Sequence, residues 1–388
     1  MTGTAGPLAG YRVIEMAGIG PGPFAAMLLA DMGAEVIRVE RAQSAKGPVP
    51  DHPHVDVMLR GRRNIAIDLK HPDGVATLLD LVGRADALIE GFRPGVMERL
   101  GVGPTECAAR NPRLVYGRMT GWGQHGPLAS AAGHDINYIA LAGALAHFRR
   151  AGQNPTPPLN MVGDFGGGAM FLAFGVVCGL LEAQRSGTGQ VVDAAMVDGA
   201  AAMMTMFWTL RTLGVFAEDA PGTNMLDTGA HFYEVYECSD GQFVSVGSIE
   251  PQFYATLLDL LDLGDDEAFA IQLDATRWPQ LKERLAGLFR TRSRADWCRL
   301  LEGTDVCFAP VLTMSEAVDH PHNVERGTFV EANGTRQPAP APRFSRTPPT
   351  IGSAPAFPGQ HTREVLADWG IDSERTEALI SSGAVVDI

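Results

Sequence analysis

Two short segments hold the side chains best suited to moving a proton. One is Gly133-His134-Asp135-Ile136-Asn137-Tyr138, at a loop-to-helix junction. The other is Asn160-Met161-Val162-Gly163-Asp164-Phe165-Gly166-Gly167-Gly168, where an acid sits among glycines at the start of an apolar helix. Imidazole and carboxylate are general acid–base groups, with reference pKa values of ~6.5 and ~3.9. Glycine admits close approach of backbone or substrate, and a helix N-terminus favours an ionised carboxylate. Taken singly, a His or Asp in such a turn is more often a cap or a hydrogen-bonding core residue.

A third segment, Gly18-Ile19-Gly20-Pro21-Gly22-Pro23, lies between a strand and a helix, with Glu40 ending the next strand. It approaches the dinucleotide-binding fingerprint, but Pro23 stands where that motif needs its third glycine. Two other readings are a tight turn with Pro near the helix start and a helix N-terminus facing an anionic or enolate-like group. Positive charge also gathers in the first hundred residues, at Arg38, Arg41, Arg60, Arg62, Arg63, Lys70, Arg93 and Arg99. A parallel sheet brings successive strand ends together, where guanidinium forks suit phosphates. The alternative is a solvated face with scattered ion pairs.

The elements that position these residues follow from periodicity. Tyr11–Met16, Glu35–Glu40, Ala87–Ile89 and Arg113–Met119 read as strands, with helices at Phe24–Met32 and Asp73–Val82. This alternation predicts a mostly parallel sheet covered by helices. Ile136–Ala146 and Ala169–Arg185 read as helices, Gly199–Leu213 as an apolar Met-rich stretch, and Phe232–Cys238 with Phe243–Gly247 as a hairpin around Ser239-Asp240-Gly241. A helix is expected at Pro251–Leu263, and C-terminal helices at Thr362–Trp369 and Ser373–Ser381. Residues 1–200, completed by 330–388, form the expected large domain. Residues 200–225 are a linker, 225–325 a smaller domain, and 326–360 an extended return linker rich in Pro, Thr and Arg.

Composition narrows the function classes. The chain has 388 residues, 45% hydrophobic, with a formal charge of −14, so it folds and repels nucleic-acid phosphates overall. Five widely spaced cysteines without CxxC argue against structural zinc and fit a reducing compartment. The N-terminus lacks signal-peptide features, and the longest apolar run, Ala169–Leu181, falls short of a ~20-residue membrane span and reads as a buried helix. A cytoplasmic protein is expected.

At these motifs the chain resembles the racemase branch of the family III CoA-transferase superfamily. The matching segments are LAGYRVIEMAGIGPGPFAAMLLADMGAEVIRVER (8–41), IEGFRPGVMERLG (89–101), MTGWGQHGP (119–127), GHDINY (133–138), PLNMVGDFGGG (158–168), GTGQVVDAAMVDG (187–199) and VGSIEPQFY (246–254). The resemblance implies a Rossmann-like α/β large domain with a smaller α+β domain, in an interlocked homodimer. It implies epimerisation at the carbon next to an acyl-CoA carbonyl, with no cofactor or metal. His134 and Asp164 match the catalytic pair, and Glu250 matches the acid that partners the histidine, contributed from the other subunit. Arg41 and Arg99 match contacts to CoA phosphates, and Arg38 joins them as a CoA-binding candidate. Ile67, Leu69, Gly91, Phe92 and Arg93 fall where the adenosine part lies. Asp135 and Tyr138 fall beside the pantetheine, and Gly133 and Asn160 complete the substrate set. Met196, Met203, Met204, Met206 and Met225 are candidates for an acyl wall, though most suit an ordinary buried helix better. The rival chemistry is CoA transfer with Asp164 as nucleophile, and a non-catalytic CoA-binding paralogue is a third reading.

Overall fold

The protein is represented by a computed structural model that describes residues 6–46 and 55–388. It divides into two compact units. One holds the chain up to Ala142, Leu159–Met203 and Gly327–Ile388, and the other holds Gly143–Pro158 and Met204–Arg326.

The first unit is built on strands β1 (Arg12–Met16), β2 (Glu35–Arg41), β3 (Arg62–Ile67), β4 (Ala87–Glu90), β5 (Val115–Thr120) and β6 (Val191–Ala195). With a C-terminal strand at Val385–Val386 they form one seven-stranded sheet, in the order C-terminal strand, β3, β2, β1, β4, β5, β6. β1 to β6 are parallel, and the C-terminal strand runs antiparallel to β3. Successive side chains enter opposite layers, as a pleated strand requires. Val13, Val36 and Ala87 pack with Ala25, Leu29, Leu172 and Val176 on one side of the sheet. Ile14, Ile37 and Leu88 pack with Leu78, Leu81, Trp369 and Leu379 on the other. Both faces are covered, which is why these strands read as continuous apolar runs.

The strand β3 escapes the pattern, since its sequence RRNIAI opens with charges. Those charges, with Arg60 just before them, are paired within the protein. Arg60 pairs with Asp31 at 2.6 Å and Arg62 with Glu15 at 2.8 Å, all four buried, and Arg63 pairs with Glu35 and Asp368. These three arginines therefore brace the sheet rather than gather phosphates at its edge. Other expectations also shift. The return segment contains a β-hairpin, β10 (Phe329–Ala332) and β11 (Thr335–Pro338), and 200–225 is partly helical, at Met196–Met203 and Thr205–Thr212. Residues 143–158 group with the second unit, where Arg150 pairs with Glu234 at 2.6 Å and the His147 ring packs tilted against Phe216 at 5.0 Å.

The helix after Asp164 is longer and more open than the sequence suggests. Met161–Ser186 is one continuous helical segment of 26 residues, long and apolar enough by composition to cross a membrane. Leu172, Val176, Leu180 and Ala183 are buried against the sheet, whereas Met170, Phe174 and Leu181 on another face are 50%, 69% and 60% exposed.

The second unit carries an antiparallel sheet of β7 (Tyr233–Glu237), β8 (Phe243–Gly247) and β9 (Phe308–Val311). Helices Pro251–Leu260, Trp278–Phe289 and Arg294–Leu301 pack on it, with Tyr236 stacked on Phe289 at 4.8 Å. His231 is fully buried here. The Tyr254 hydroxyl donates to the Phe269 carbonyl (3.2 Å), so His231 Nε2–H donates to that hydroxyl (2.8 Å), leaving Nδ1 unpartnered. Burial, with a smaller contribution from Lys282, lowers this imidazole to about 4. The unfolded chain takes up the same proton near pH ~6.5. Stability from this residue is therefore complete above pH ~6.5 and falls by up to about 3 kcal/mol as the pH drops to ~4. Urea unfolding at pH 7 and 5 should show this loss, and His231→Gln should flatten it.

Candidate active site

In a parallel sheet of this order the chain turns to one side of β1 for β2 and to the other for β4, and a crevice opens at the strands' carboxyl ends. The sheet brings many of the expected residues to that edge. Gly18–Gly20 follow β1, Arg41 ends β2 opposite Ile67 at the end of β3, and Gly91–Arg93 follow β4. Arg41, Gly91, Arg93 and Arg99 are exposed and Phe92 is half-buried. The loop after β4 is held in place because Phe92 N–H donates to Glu90 (2.7 Å), which is itself bound by Arg118 (3.0 Å). Arg118 also reaches Glu98 (2.8 Å), just before Arg99.

Asp164 lies in a stretch of π-helix, Met161–Met170, that leads into the α-helix Phe171–Ser186. Such wide turns are rare and cluster at functional sites. Its glycines explain its place. A side chain on Gly163 would meet the Asp135 carboxylate (2.8 Å to its carbon), and one on Gly168 would meet Met196 (2.8 Å). The half-buried Asp164 carboxylate accepts from Asn160 Nδ2 (3.0 Å) and lies 3.6 Å from where a Cβ on Gly20 would stand. Gly20, with φ of 69°, caps the helix Pro21–Asp31, so the group facing that helix N-terminus is the protein's own carboxylate.

His134 is exposed and caps the helix Asp135–Leu141, its N–H donating to Asn137 Oδ1 (3.0 Å). The next residue joins the two motifs, for Asp135 Oδ1 accepts the backbone N–H of Asp164 at 2.7 Å. Asp135 is 6% exposed and its Oδ2 has no partner. Burial raises its pKa, the Asp164 N–H opposes the rise, and the Asp164 charge adds to it. Tyr138 donates to the Gly133 carbonyl and sets its ring edge-on to Trp122 at 4.7 Å. Burial pushes the Tyr138 phenol up, Asp164 adds to the shift and Arg93 opposes it, so helix, π-turn and β4 loop share one electrostatic environment.

Several expected contacts are placed differently. Ile67 is 1% exposed within the core, and Leu69 is half-buried against it. Asp135 is buried, its Oδ1 taken up by the Asp164 backbone N–H. Arg38 is buried, with bonds to Glu15, Glu40 and the Gly18 carbonyl. Met196 belongs to the core, while Met203 is 42% exposed and its sulfur lies 3.3 Å from where a Cβ on Gly166 would stand. Glu250, in the second unit, is exposed and caps the helix Pro251–Leu260. The sequence offers an anionic group facing the turn at Gly20 as one reading, and the structure sets the Asp164 carboxylate beside that turn. Among the described residues no group of three His, Cys, Asp or Glu could hold a metal ion.

Known proteins resemble the chain over nearly its whole length. The profile of CoA-transferase family III matches residues 8–362. The mouse α-methylacyl-CoA racemase is 45% identical over 97% of both chains, and the human one 44% over 96% of both. Among solved structures, Rv3272 of M. tuberculosis superposes with a TM-score of 0.76 at 26% identity, covering 92% of this chain and 99% of that one. A CAIB/BAIF family protein from Brucella suis gives 0.80 at 24% identity, covering 94% of this chain and 100% of that one, a likeness of fold alone.

Proposed function

The chain belongs to CoA-transferase family III, and within that family we propose that it interconverts the 2R and 2S epimers of 2-methylacyl-CoA thioesters. The observation that carries this reading is the joining of His134 and Asp164 through Asp135 at the carboxyl edge of the sheet. It is supported by the identity to the mammalian racemases.

Epimerisation needs a base on each face of a planar intermediate. One of the pair takes the α-proton, leaving an enolate, and the other returns a proton to the opposite face; in reverse their protonation states are exchanged. Neither atoms nor electrons are gained overall, so the chemistry calls for no cofactor. The thioester α-proton is a weak acid, and the developing oxyanion needs hydrogen-bond donors. The Asp164 N–H is already committed to Asp135, which leaves the turn at Gly20 as the better of the two donor regions near this carboxylate. Arg41, Arg93 and Arg99, exposed at the same edge, supply charge for CoA phosphates. Glu250 is assigned the role of favouring the imidazolium on the resemblance alone, and Met203 is the methionine best placed to meet an acyl chain.

The same reading extends to a homodimer. Its support is the apolar face of Met170, Phe174 and Leu181, each at least half exposed along one helical segment. Five unpaired thiols suit a reducing compartment, so we place the protein in the cytoplasm.

The deciding experiment is proton NMR of one epimer of a 2-methylacyl-CoA with the protein in D₂O, with no acceptor acid. Loss of the α-proton signal and appearance of both epimers is expected. A retained α-proton, with CoA passing to an added carboxylic acid, would instead make Asp164 a nucleophile in a CoA-transferase.

A further inference from the structure

The turn that faces Asp164 is braced from beneath by buried charge. Glu15 on β1 is 1% exposed and is shared by Arg38 of β2 and Arg62 of β3. Arg38 also binds Glu40 through Nε (2.9 Å) and the Gly18 carbonyl through Nη2 (3.1 Å). Arg62 Nη1 donates both to Glu15 (2.8 Å) and to the Pro23 carbonyl (3.0 Å). The two clamped carbonyls lie on either side of Gly20, the residue whose open side faces the Asp164 carboxylate. Just beyond, Phe24 packs on Phe165 at 4.8 Å, so turn and π-helix meet at two successive points.

This cluster is poorly explained as a device for stability. Arg62 Nε and Nη2 have no partner although the side chain is 2% exposed, and buried ion pairs rarely outperform apolar residues of the same volume. What the cluster does accomplish is to fix two carbonyls of an irregular, glycine-rich turn. Both Pro21 and Pro23 lack an N–H, so the turn has fewer backbone bonds of its own to hold it.

We propose that Arg38 is a positioning residue for Asp164: through the Gly18 carbonyl it holds the turn against which that carboxylate lies. The proposal rests on the reading of Asp164 as a proton-transfer group. It also replaces the expectation that Arg38 binds CoA, because its three donor nitrogens are all engaged inside the protein.

A brace and a phosphate ligand give opposite signatures. Arg38→Lys keeps the charge but cannot hold three acceptors in a fixed fork. Glu15→Gln keeps the shape and loosens both arginines, and serves as the second variant should Arg38→Lys not fold. For each full-length protein, kcat and KM for epimerisation, the Kd of free CoA, and amide hydrogen exchange of the peptide spanning Gly18 to Phe24 are measured. The expected result is a kcat lower by about 10²-fold, as for a reacting group displaced by about 1 Å. KM and the CoA Kd should stay within about twofold, with faster amide exchange in the turn. A CoA Kd weakened tenfold with kcat retained would make Arg38 a phosphate ligand. Unchanged kcat and unchanged exchange would remove any role in positioning. If the unaltered protein shows no epimerisation, the functional reading fails by itself, and the exchange measurement still decides whether the brace exists.

Discussion

Asp164→Asn should lower the interconversion of 2-methylacyl-CoA epimers by about 10³-fold or more, the range expected when a general acid–base group is lost. His134→Ala should do the same. Asparagine is nearly isosteric with aspartate and keeps an oxygen for the Asn160 amide, which donates at 3.0 Å. The Asp164 backbone N–H would still be held by Asp135 at 2.7 Å, so the turn stays in place while the proton acceptor is gone. The two variants should differ in an informative way. Each retains one base, and a single base can still remove the α-proton from the epimer presented to it and return deuterium to the same face. In D₂O, Asp164→Asn should therefore exchange one epimer without inversion, and His134→Ala should exchange the other. Affinity for free CoA, measured by calorimetry, should stay within about twofold in both, because neither side chain is needed for a phosphate contact. Equal loss of CoA binding and chemistry would make the two residues structural. Exchange of the same epimer by both variants would place both groups on one face and defeat the two-base mechanism.

Legibility from sequence followed a physical boundary. β1, β2, β4 and β5 announced themselves because both faces of a parallel strand are apolar, and the glycine clusters marked the turns that carry His134 and Asp164. What stayed hidden depended on partners far along the chain. β3 looked like a charged surface segment because its arginines meet Asp31, Glu15, Glu35 and Asp368, contacts that only the tertiary fold creates. The same blindness placed Arg38 among ligand-binding residues, and it concealed Asp135 as the link between the two motifs. The open face of Met161–Ser186 was equally unreadable, since an apolar run does not say which of its sides meets the sheet. Residue type thus located the chemistry, whereas pairing determined which charges were free to serve it.

Gly199→Ala should be the most damaging small substitution, although Gly199 bears no side chain and touches no reacting group. It lies on the helix Met196–Met203, whose backbone rests directly on the π-helical turn. A methyl group there would overlap the Gly167 carbonyl oxygen and stand 2.6 Å from its carbon, and a methyl on Gly167 would in turn meet Ala200 N at 2.6 Å. Neither neighbour is a flexible side chain that can swing aside, so the two helices must separate. Overpacking of this kind costs about 1–3 kcal/mol, with more where backbone must shift. Separation would also carry Asp164, which precedes Gly167 on the same wide turn, away from Gly20; a displacement of about 1 Å can cost about 10²-fold in rate. Gly287→Ala provides the control. It sits within the helix Trp278–Phe289 with nothing within 4 Å of the added carbon, and should stabilise the protein by about 0.5–1 kcal/mol. Thermal unfolding and epimerisation rates of both variants test the argument together. If Gly199→Ala melts and turns over like the unaltered protein, the backbone contact is not what fixes the π-turn. The placement of Asp164 would then have to come from its side-chain bonds and the Asp135 link alone.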